Sequence, residues 1–102
     1  MDIKYRKSVG TLTVYVGGEL DECSASKAKD ILDNLLYEHA GSDKIIFDLS
    51  DVSFMDSTGV GLLIGRYKKI SALHKPVYIS GASPAADRVL TLAGIYSIMP
   101  KI

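Results

Sequence analysis

The sequence predicts one α/β domain with a mostly parallel sheet, and three observations lead to this prediction. Apolar strand-like stretches alternate with amphipathic helical stretches over most of the chain, which is typical of strands joined by crossover helices. The chain opens with two strand-like stretches joined by a short turn, which favours an antiparallel hairpin. A length of 102 residues with 47% apolar residues supports one hydrophobic core and leaves little for a second. We therefore expect a single domain over residues 1–102, with a mixed sheet of about five strands and three to four helices.

The N-terminal hairpin is predicted from Ile3–Lys7 and Thr11–Gly17, because a Ser-Val-Gly turn separates them. The second stretch alternates apolar and polar residues, as a half-buried strand does. A glycine pair then breaks the strand, and an amphipathic stretch predicts a helix that ends near Gly41. Asp21 or Ser24 is the expected N-cap of this helix, because each side chain has an oxygen that can accept from free backbone amides.

The second half of the chain continues the alternation of strands and helices. Ser83, Pro84 and Gly94 match the usual N-cap, first helical position and C-terminal glycine of a helix, so they bound the third helix. The expected elements are a strand at Lys44–Leu49, a helix from Ser57 to about Leu73, a strand at Pro76–Ser80, a helix at Pro84–Ala93 and a last strand at Ile95–Met99.

The helix predicted to start near Ser57 has two contrasting faces. Its apolar face toward the core contains Val60, Leu63, Ile64, Tyr67 and Ile70. The opposite stripe contains Thr58, Leu62, Gly65, Lys69 and Leu73. We interpret the basic residues Arg66, Lys68 and Lys69 as a charged face in contact with solvent. A glycine inside a helix costs about 1 kcal/mol relative to alanine, yet Gly59, Gly61 and Gly65 all lie in the first turns. Close approach of another backbone, from the sheet or from a partner, is the expected compensation.

Strands that run parallel end at the same edge of a sheet, where open sheets of this class place their sites. The loops after Gly17, Leu49 and Ser80 therefore converge, and Asp21 is expected close to Ser57. A serine at a helix start can cap the free amides, and the same amides and the helix dipole also suit a phosphate. On the residues alone, helix capping by Asp56, Ser57 and Thr58 without a further role is the simpler interpretation.

A resemblance to a known family favours the functional interpretation. An apolar strand followed by Phe54–Gly61 (Phe-Met-Asp-Ser-Thr-Gly-Val-Gly) resembles the phosphorylation motif of the anti-sigma factor antagonists, which are small bacterial STAS domains. Gly18–Asp21 is similar to the family's Gly-Glu-Leu-Asp turn, and Gly65–Lys68 is more similar to the sporulation (anti-sigma F) branch than to the general-stress branch. The resemblance implies one STAS domain, phosphorylation of Ser57, and an aspartate, Asp21, at the interface with a kinase.

The function implied by this resemblance is partner switching in transcription. The unphosphorylated protein would bind an anti-sigma factor that is also a serine kinase and so release a sigma factor; phosphorylation of Ser57 would switch it off, and a metal-dependent serine phosphatase would restore it. The expected partner-binding residues are Asp21, Asp56, Ser57, Thr58, Gly59, Gly61, Leu62, Gly65 and Lys69. The alternative is a stand-alone STAS module that binds a nucleotide or another anion at the helix start after Ser57.

Composition argues against several other classes of protein. Twelve basic and twelve acidic residues give a formal net charge of zero without a basic run, which disfavours direct binding to nucleic acid or an anionic membrane. The single cysteine, Cys23, gives no disulfide framework, and we see neither a signal peptide nor an apolar run of about 20 residues. We therefore expect a cytoplasmic protein that is a monomer when free.

Catalysis is also disfavoured by the sequence. Ser57 lacks the Gly-x-Ser-x-Gly spacing of hydrolase nucleophiles because Met55 replaces the first glycine. The two histidines, His39 and His74, are expected at the ends of helices, far from the carboxyl edge of the sheet. Neither a metal-ligand spacing nor a phosphate-binding loop is present. We expect a substrate of phosphorylation that needs no cofactor, and not an enzyme.

Overall fold

The structure, a computed structural model that describes residues 1–102, is a four-stranded sheet with three α-helices. The strands are β1 (Asp2–Ser8), β2 (Thr11–Leu20), β3 (Lys44–Met55) and β4 (Val77–Ser80), and the helices are α1 (Glu22–Glu38), α2 (Ser57–Ser71) and α3 (Pro84–Leu92). The sheet order is β1-β2-β3-β4, with β1 antiparallel to β2 and the other pairs parallel. The predicted α/β class, the N-terminal hairpin and the mostly parallel sheet are confirmed.

One face of the sheet carries the hydrophobic core. Val14, Phe47 and Ile79 are register partners across three strands, and each has 0% of its surface exposed. The next row along, Thr13, Ile46 and Tyr78, lies on the other face and is only partly buried. The three helices pack on the buried face, where a single core unites strand residues with helix residues such as Leu32, Leu63 and Leu90.

The last segment of the chain differs from its predicted structure. Ile95–Ser97 forms a short 3₁₀ helix instead of a strand, after Gly94 has ended α3 in the left-handed conformation at φ 72°. Ile95 and Met99 are buried, and one helical turn places residues four apart on the same face, as a strand also does. Pairing with the sheet is limited to one bridge between Ile79 and Lys101.

A second difference lies at the carboxyl edge, where β2 and β3 are longer than predicted. β4 stops at Ser80 opposite Asp48, but β2 and β3 stay paired as far as Leu20 and Met55. We call this extension, residues 17–20 with residues 50–55, the ribbon. The pairing of β2 with β3 has two register irregularities near the start of the ribbon, and Gly18 permits the positive φ of 82° there. Gly18–Leu20 is therefore the end of a strand and not a free turn, and Asp21 follows it.

The third helix begins against the ribbon as well. Ser83 is its N-cap, as predicted, and accepts from the amide of Ala86 at 3.2 Å. The Ser83 hydroxyl also donates to the carbonyl of Val52 at 2.6 Å, and its amide donates to Leu49 at 3.1 Å. These bonds attach the start of α3 to β3.

Candidate functional site

Two helices begin side by side at the end of the ribbon. Leu20 and Met55 are register partners in adjacent parallel strands, and the residue after each, Asp21 and Asp56, is the N-cap of α1 and α2. Adjacent strands lie about 4.8 Å apart, so the two N-caps leave the sheet from neighbouring positions. The structure thus brings Asp21 to the same edge as Ser57, which follows Asp56.

Asp21 is held by a capping box. Its Oδ1 accepts from the amides of Cys23 at 3.0 Å and Ser24 at 3.1 Å, and its own amide donates to Ser24 Oγ at 3.1 Å. The prediction that Asp21 or Ser24 caps this helix is confirmed in favour of Asp21. Asp21 therefore stabilises α1 as its N-cap and also presents a carboxylate at the edge.

The cap of α2 lies one residue earlier than the serine. Oδ1 of Asp56 accepts from the amides of Thr58 at 2.9 Å and Gly59 at 3.2 Å, while the backbone of Asp56 is extended at φ −121°. Ser57 is the first helical residue, is exposed, and makes no side-chain hydrogen bond within the protein. The prediction that Ser57 caps the helix is wrong.

The three glycines of α2 have different surroundings. A Cβ on Gly59 would lie 2.5 Å from the carbonyl oxygen of Leu20 and 3.0 Å from Cγ of Met55, so α2 can pack on the ribbon only with glycine there. Added Cβ atoms on Gly61 and Gly65 would meet nothing within 4 Å. Gly59 therefore serves the fold and is a poor candidate for partner contact, whereas Gly61 and Gly65 leave the helix surface open.

The faces of α2 only partly follow the prediction. Val60, Leu63 and Ile70 are buried as expected, and Thr58 and Lys69 are exposed. Leu62 is only 7% exposed, so its assignment to the partner-facing stripe is wrong. The physical reason is that α1 packs along one flank of α2, which widens the buried arc beyond a single stripe.

The same flank buries an ion pair that the sequence analysis placed in solvent. Nε of Arg66 lies 2.9 Å from Oδ1 of Asp33 on α1, with side-chain exposures of 5% and 24%. Nζ of Lys69 lies 3.2 Å from the second oxygen of the same carboxylate. This cluster joins α1 to α2, whose starts form the candidate site. Asp33 is far from Arg66 and Lys69 in sequence. The only sequence signal for the ion pair is the position of Arg66 at the border of the apolar face of α2.

The carboxyl edge is strongly acidic in a protein without net charge. Residues 17–24 and 48–59 contain no lysine or arginine, and together they supply Glu19, Asp21, Glu22, Asp48, Asp51 and Asp56. A phosphate on Ser57 would add about two further negative charges to this edge.

Ser57 lies outside the main cavities of the structure. The three main cavities measure about 450, 500 and 50 Å³, and Ser57 lines none of them. Asp56 already occupies the amides of Thr58 and Gly59, which a bound anion would need. The nucleotide alternative therefore receives no support from the geometry.

Other kinds of site are absent near the ribbon. His39 is the C-cap of α1 and His74 follows α2, so both histidines lie at helix ends opposite the N-caps, as predicted. No group of three histidine, cysteine, aspartate or glutamate side chains is arranged to hold a metal ion. None of the helices has both the length and the apolar character needed to cross a bilayer.

Comparison with known proteins gives a consistent result. Residues 2–102 match the family model of the STAS domain. The chain is 29% identical over 100 residues to the anti-sigma F factor antagonist of Paenibacillus polymyxa, an alignment that covers 98% of this chain and 85% of that protein. It is 35% identical over 86 residues to the anti-sigma-B factor antagonist of Staphylococcus aureus, covering 84% and 78%.

Solved structures show the same fold. The anti-sigma factor antagonist SpoIIAA in its unphosphorylated form superimposes with a TM-score of 0.79 at 24% identity, covering 99% of this chain and 88% of that one. The phosphorylated form of Bacillus SpoIIAA superimposes with a TM-score of 0.72, covering 99% and 91%. The relatives thus include both an anti-sigma F and an anti-sigma-B factor antagonist, and do not distinguish between the two branches.

Proposed function

The chain belongs to the STAS domain family, and from this premise we propose that it is an anti-sigma factor antagonist. Two curated relatives that cover most of its length are antagonists of anti-sigma factors. In this function the protein binds an anti-sigma factor and thereby frees a sigma factor for transcription. It acts through binding and carries no catalytic group of its own.

The anti-sigma factor is in this proposal also a serine kinase, and Ser57 is its target. The observation that carries this step is the exposed Ser57 hydroxyl, which has no hydrogen-bond partner and is placed next to the Asp56 cap. The kinase would transfer the γ-phosphoryl group of ATP to Ser57 Oγ, releasing ADP and the hydroxyl proton. A metal-dependent serine phosphatase would hydrolyse the phosphoserine and restore the free hydroxyl.

The proposed binding surface is a strip that runs from the two helix starts along α2. It contains the predicted residues that remain accessible: Asp21, Asp56, Ser57, Thr58, Gly61, Gly65 and Lys69. The glycines let a partner approach the helix backbone closely. Phosphorylation would act on this strip through bulk and through repulsion by the surrounding carboxylates, without unfolding the domain.

The deciding experiment is radiolabelled phosphate transfer from the cognate anti-sigma factor kinase, with mass spectrometry of the product. Wild type should accept one phosphate at Ser57, and Ser57→Ala should accept none. Thr58→Ala is the matched control, because Thr58 is the exposed neighbouring hydroxyl and should not affect labelling. Labelling of the Ser57→Ala protein at the wild-type rate would overturn the assignment.

A further inference from the structure

The ribbon exposes an aromatic side chain beside the candidate phosphorylation site. Phe54 is 49% exposed, although the other phenylalanine, Phe47, is 0% exposed in the core. Phe54 pairs in register with Glu19, which is also exposed, while the next pair, Leu20 and Met55, is buried. Adjacent residues of a strand point to opposite faces, so Phe54 lies on the face of the ribbon opposite to that of the buried Met55.

The fold itself leaves this side chain uncovered. β4 ends at Ser80 opposite Asp48, so β3 beyond that point has a strand partner only in β2. No helix packs on the open face of the sheet there, because the core lies on the other face. A large apolar side chain that is exposed to water does not contribute to the stability of the fold. Aromatic residues at the centre of protein interfaces, in contrast, carry much of the binding energy.

We propose that Phe54 is the apolar anchor of the interface with the anti-sigma factor, which extends around the sheet edge from Ser57 onto the open face. The partner surface that fits it is an apolar pocket with a basic rim, because Phe54 is surrounded in sequence and in the ladder by Glu19, Asp51 and Asp56. This inference rests on the proposed function and adds a second contact region to it. Phosphorylation and anchoring then act on opposite sides of the same edge.

The test is the affinity of the purified full-length protein for the cognate anti-sigma factor kinase, measured by calorimetry at low and high salt. Phe54→Ala should weaken binding at least tenfold. Phe54→Leu, which keeps an apolar side chain, should recover most of the affinity. Wild-type binding should weaken as the salt concentration rises, because the rim contacts are charged.

Tyr37→Ala is the matched control. Tyr37 is an aromatic residue that is 84% exposed on α1, and it lies 16 positions after the Asp21 cap, or about 24 Å along the helix. Its removal should change the affinity by less than twofold. A similar loss of affinity in Tyr37→Ala and Phe54→Ala would overturn the anchor, since exposed aromatic area in general would then explain it.

Hydrogen exchange on the unaltered protein gives a measurement that does not depend on the variants folding. Binding should slow exchange in residues 51–54 of the ribbon as well as at the start of α2. Protection of the start of α2 alone, or full affinity in Phe54→Ala, would overturn the inference and leave the proposed function intact. Absence of wild-type binding to the kinase would overturn both.

Discussion

The carboxylate of Asp33 on α1 lies against the buried guanidinium of Arg66 on α2, with 2.9 Å between Oδ1 and Nε. This ion pair joins α1 to α2 and so fixes their relative position. Both helices start at the candidate site, so the ion pair also supports the geometry of that site. Asp33→Ala leaves Arg66 as a buried charge without its counterion, and should lower the free energy of unfolding by about 3 kcal/mol. Lys69→Ala, which removes a 57% exposed partner of the same carboxylate, should cost no more than about 1 kcal/mol. Urea titrations of both variants test this; equal losses would show that Arg66 is not the dominant partner.

The glycines of α2 should respond to alanine in opposite directions. Gly59→Ala places a methyl group 2.5 Å from the carbonyl oxygen of Leu20 and should destabilise the domain by at least about 1 kcal/mol. Gly61→Ala and Gly65→Ala have open space and should each stabilise it by up to about 1 kcal/mol. Melting curves measure the stability of each variant, and its affinity for the kinase measures how far the added methyl group weakens binding. Destabilisation by all three substitutions would mean that α2 packs differently.

The Asp21 cap and the Asp21 charge can be separated by two substitutions. Asp21→Ala loses the capping box and should cost about 1 kcal/mol, whereas Asp21→Asn keeps an acceptor for the amides of Cys23 and Ser24 and should cost little. Both variants should bind the anti-sigma factor more weakly if the carboxylate contacts a basic group. Unchanged affinity in Asp21→Asn would limit Asp21 to its structural role.

Ser57 should be neutral for stability and decisive for binding. Ser57→Ala removes no hydrogen bond within the protein, so its free energy of unfolding should stay within about 0.5 kcal/mol of wild type, and it should keep binding the kinase. Ser57→Asp puts a negative charge in the first helical turn, which the helix dipole tolerates. Its affinity for the kinase should nevertheless fall, since the charge is added to an acidic edge. Thermal melts and binding isotherms of both variants decide; equal affinities would remove charge at Ser57 as the switch.

A pH-dependent contact lies away from the site. Tyr96 donates to Asp87 at 2.5 Å, and its burial together with this hydrogen bond raises the pKa of Tyr96 above its ordinary value of 10.0. Because the pKa is higher in the folded than in the unfolded state, the stabilisation of the fold by protonated Tyr96 is complete below pH 10 and is lost at higher pH. Tyr96→Phe should therefore be less stable than wild type at neutral pH, and this difference should shrink above pH 10. A constant difference between pH 8 and 11 would contradict it.

The sequence predicted the elements whose patterns depend on near neighbours. Alternation identified the strands, and Ser83 with Pro84 identified the start of α3. The ribbon was missed because its glycines, serines and aspartates are poor strand formers, and its hydrogen bonds come from a partner strand distant in sequence. The ion pair of Arg66 was missed for the same reason, because its partner Asp33 lies on another helix, distant in sequence.

The start of α2 was predicted at Ser57, as observed, but its cap was predicted wrongly. The cap was assigned to Ser57 instead of Asp56, because three consecutive residues with side-chain oxygens can each cap a helix and only the backbone conformation selects among them. Leu62 was assigned to a partner because the width of the buried arc depends on how α1 packs. Gly59 was assigned to a partner because its close contact with Leu20 joins residues that are distant in sequence. Whether the remaining residues contact a partner stays a prediction.

Mounting Ser57 on the ribbon has a thermodynamic consequence for the proposed switch. The residue follows a strand end that pairs with Leu20 and is capped by Asp56, so its position does not depend on ordering a loop. In the proposed switch, a phosphate there does not act by ordering or melting a loop of this domain. Its whole effect must then appear as a difference between the affinities of the two forms for the partner, and by linkage the bound partner must bias the balance between phosphorylated and free serine by the same factor.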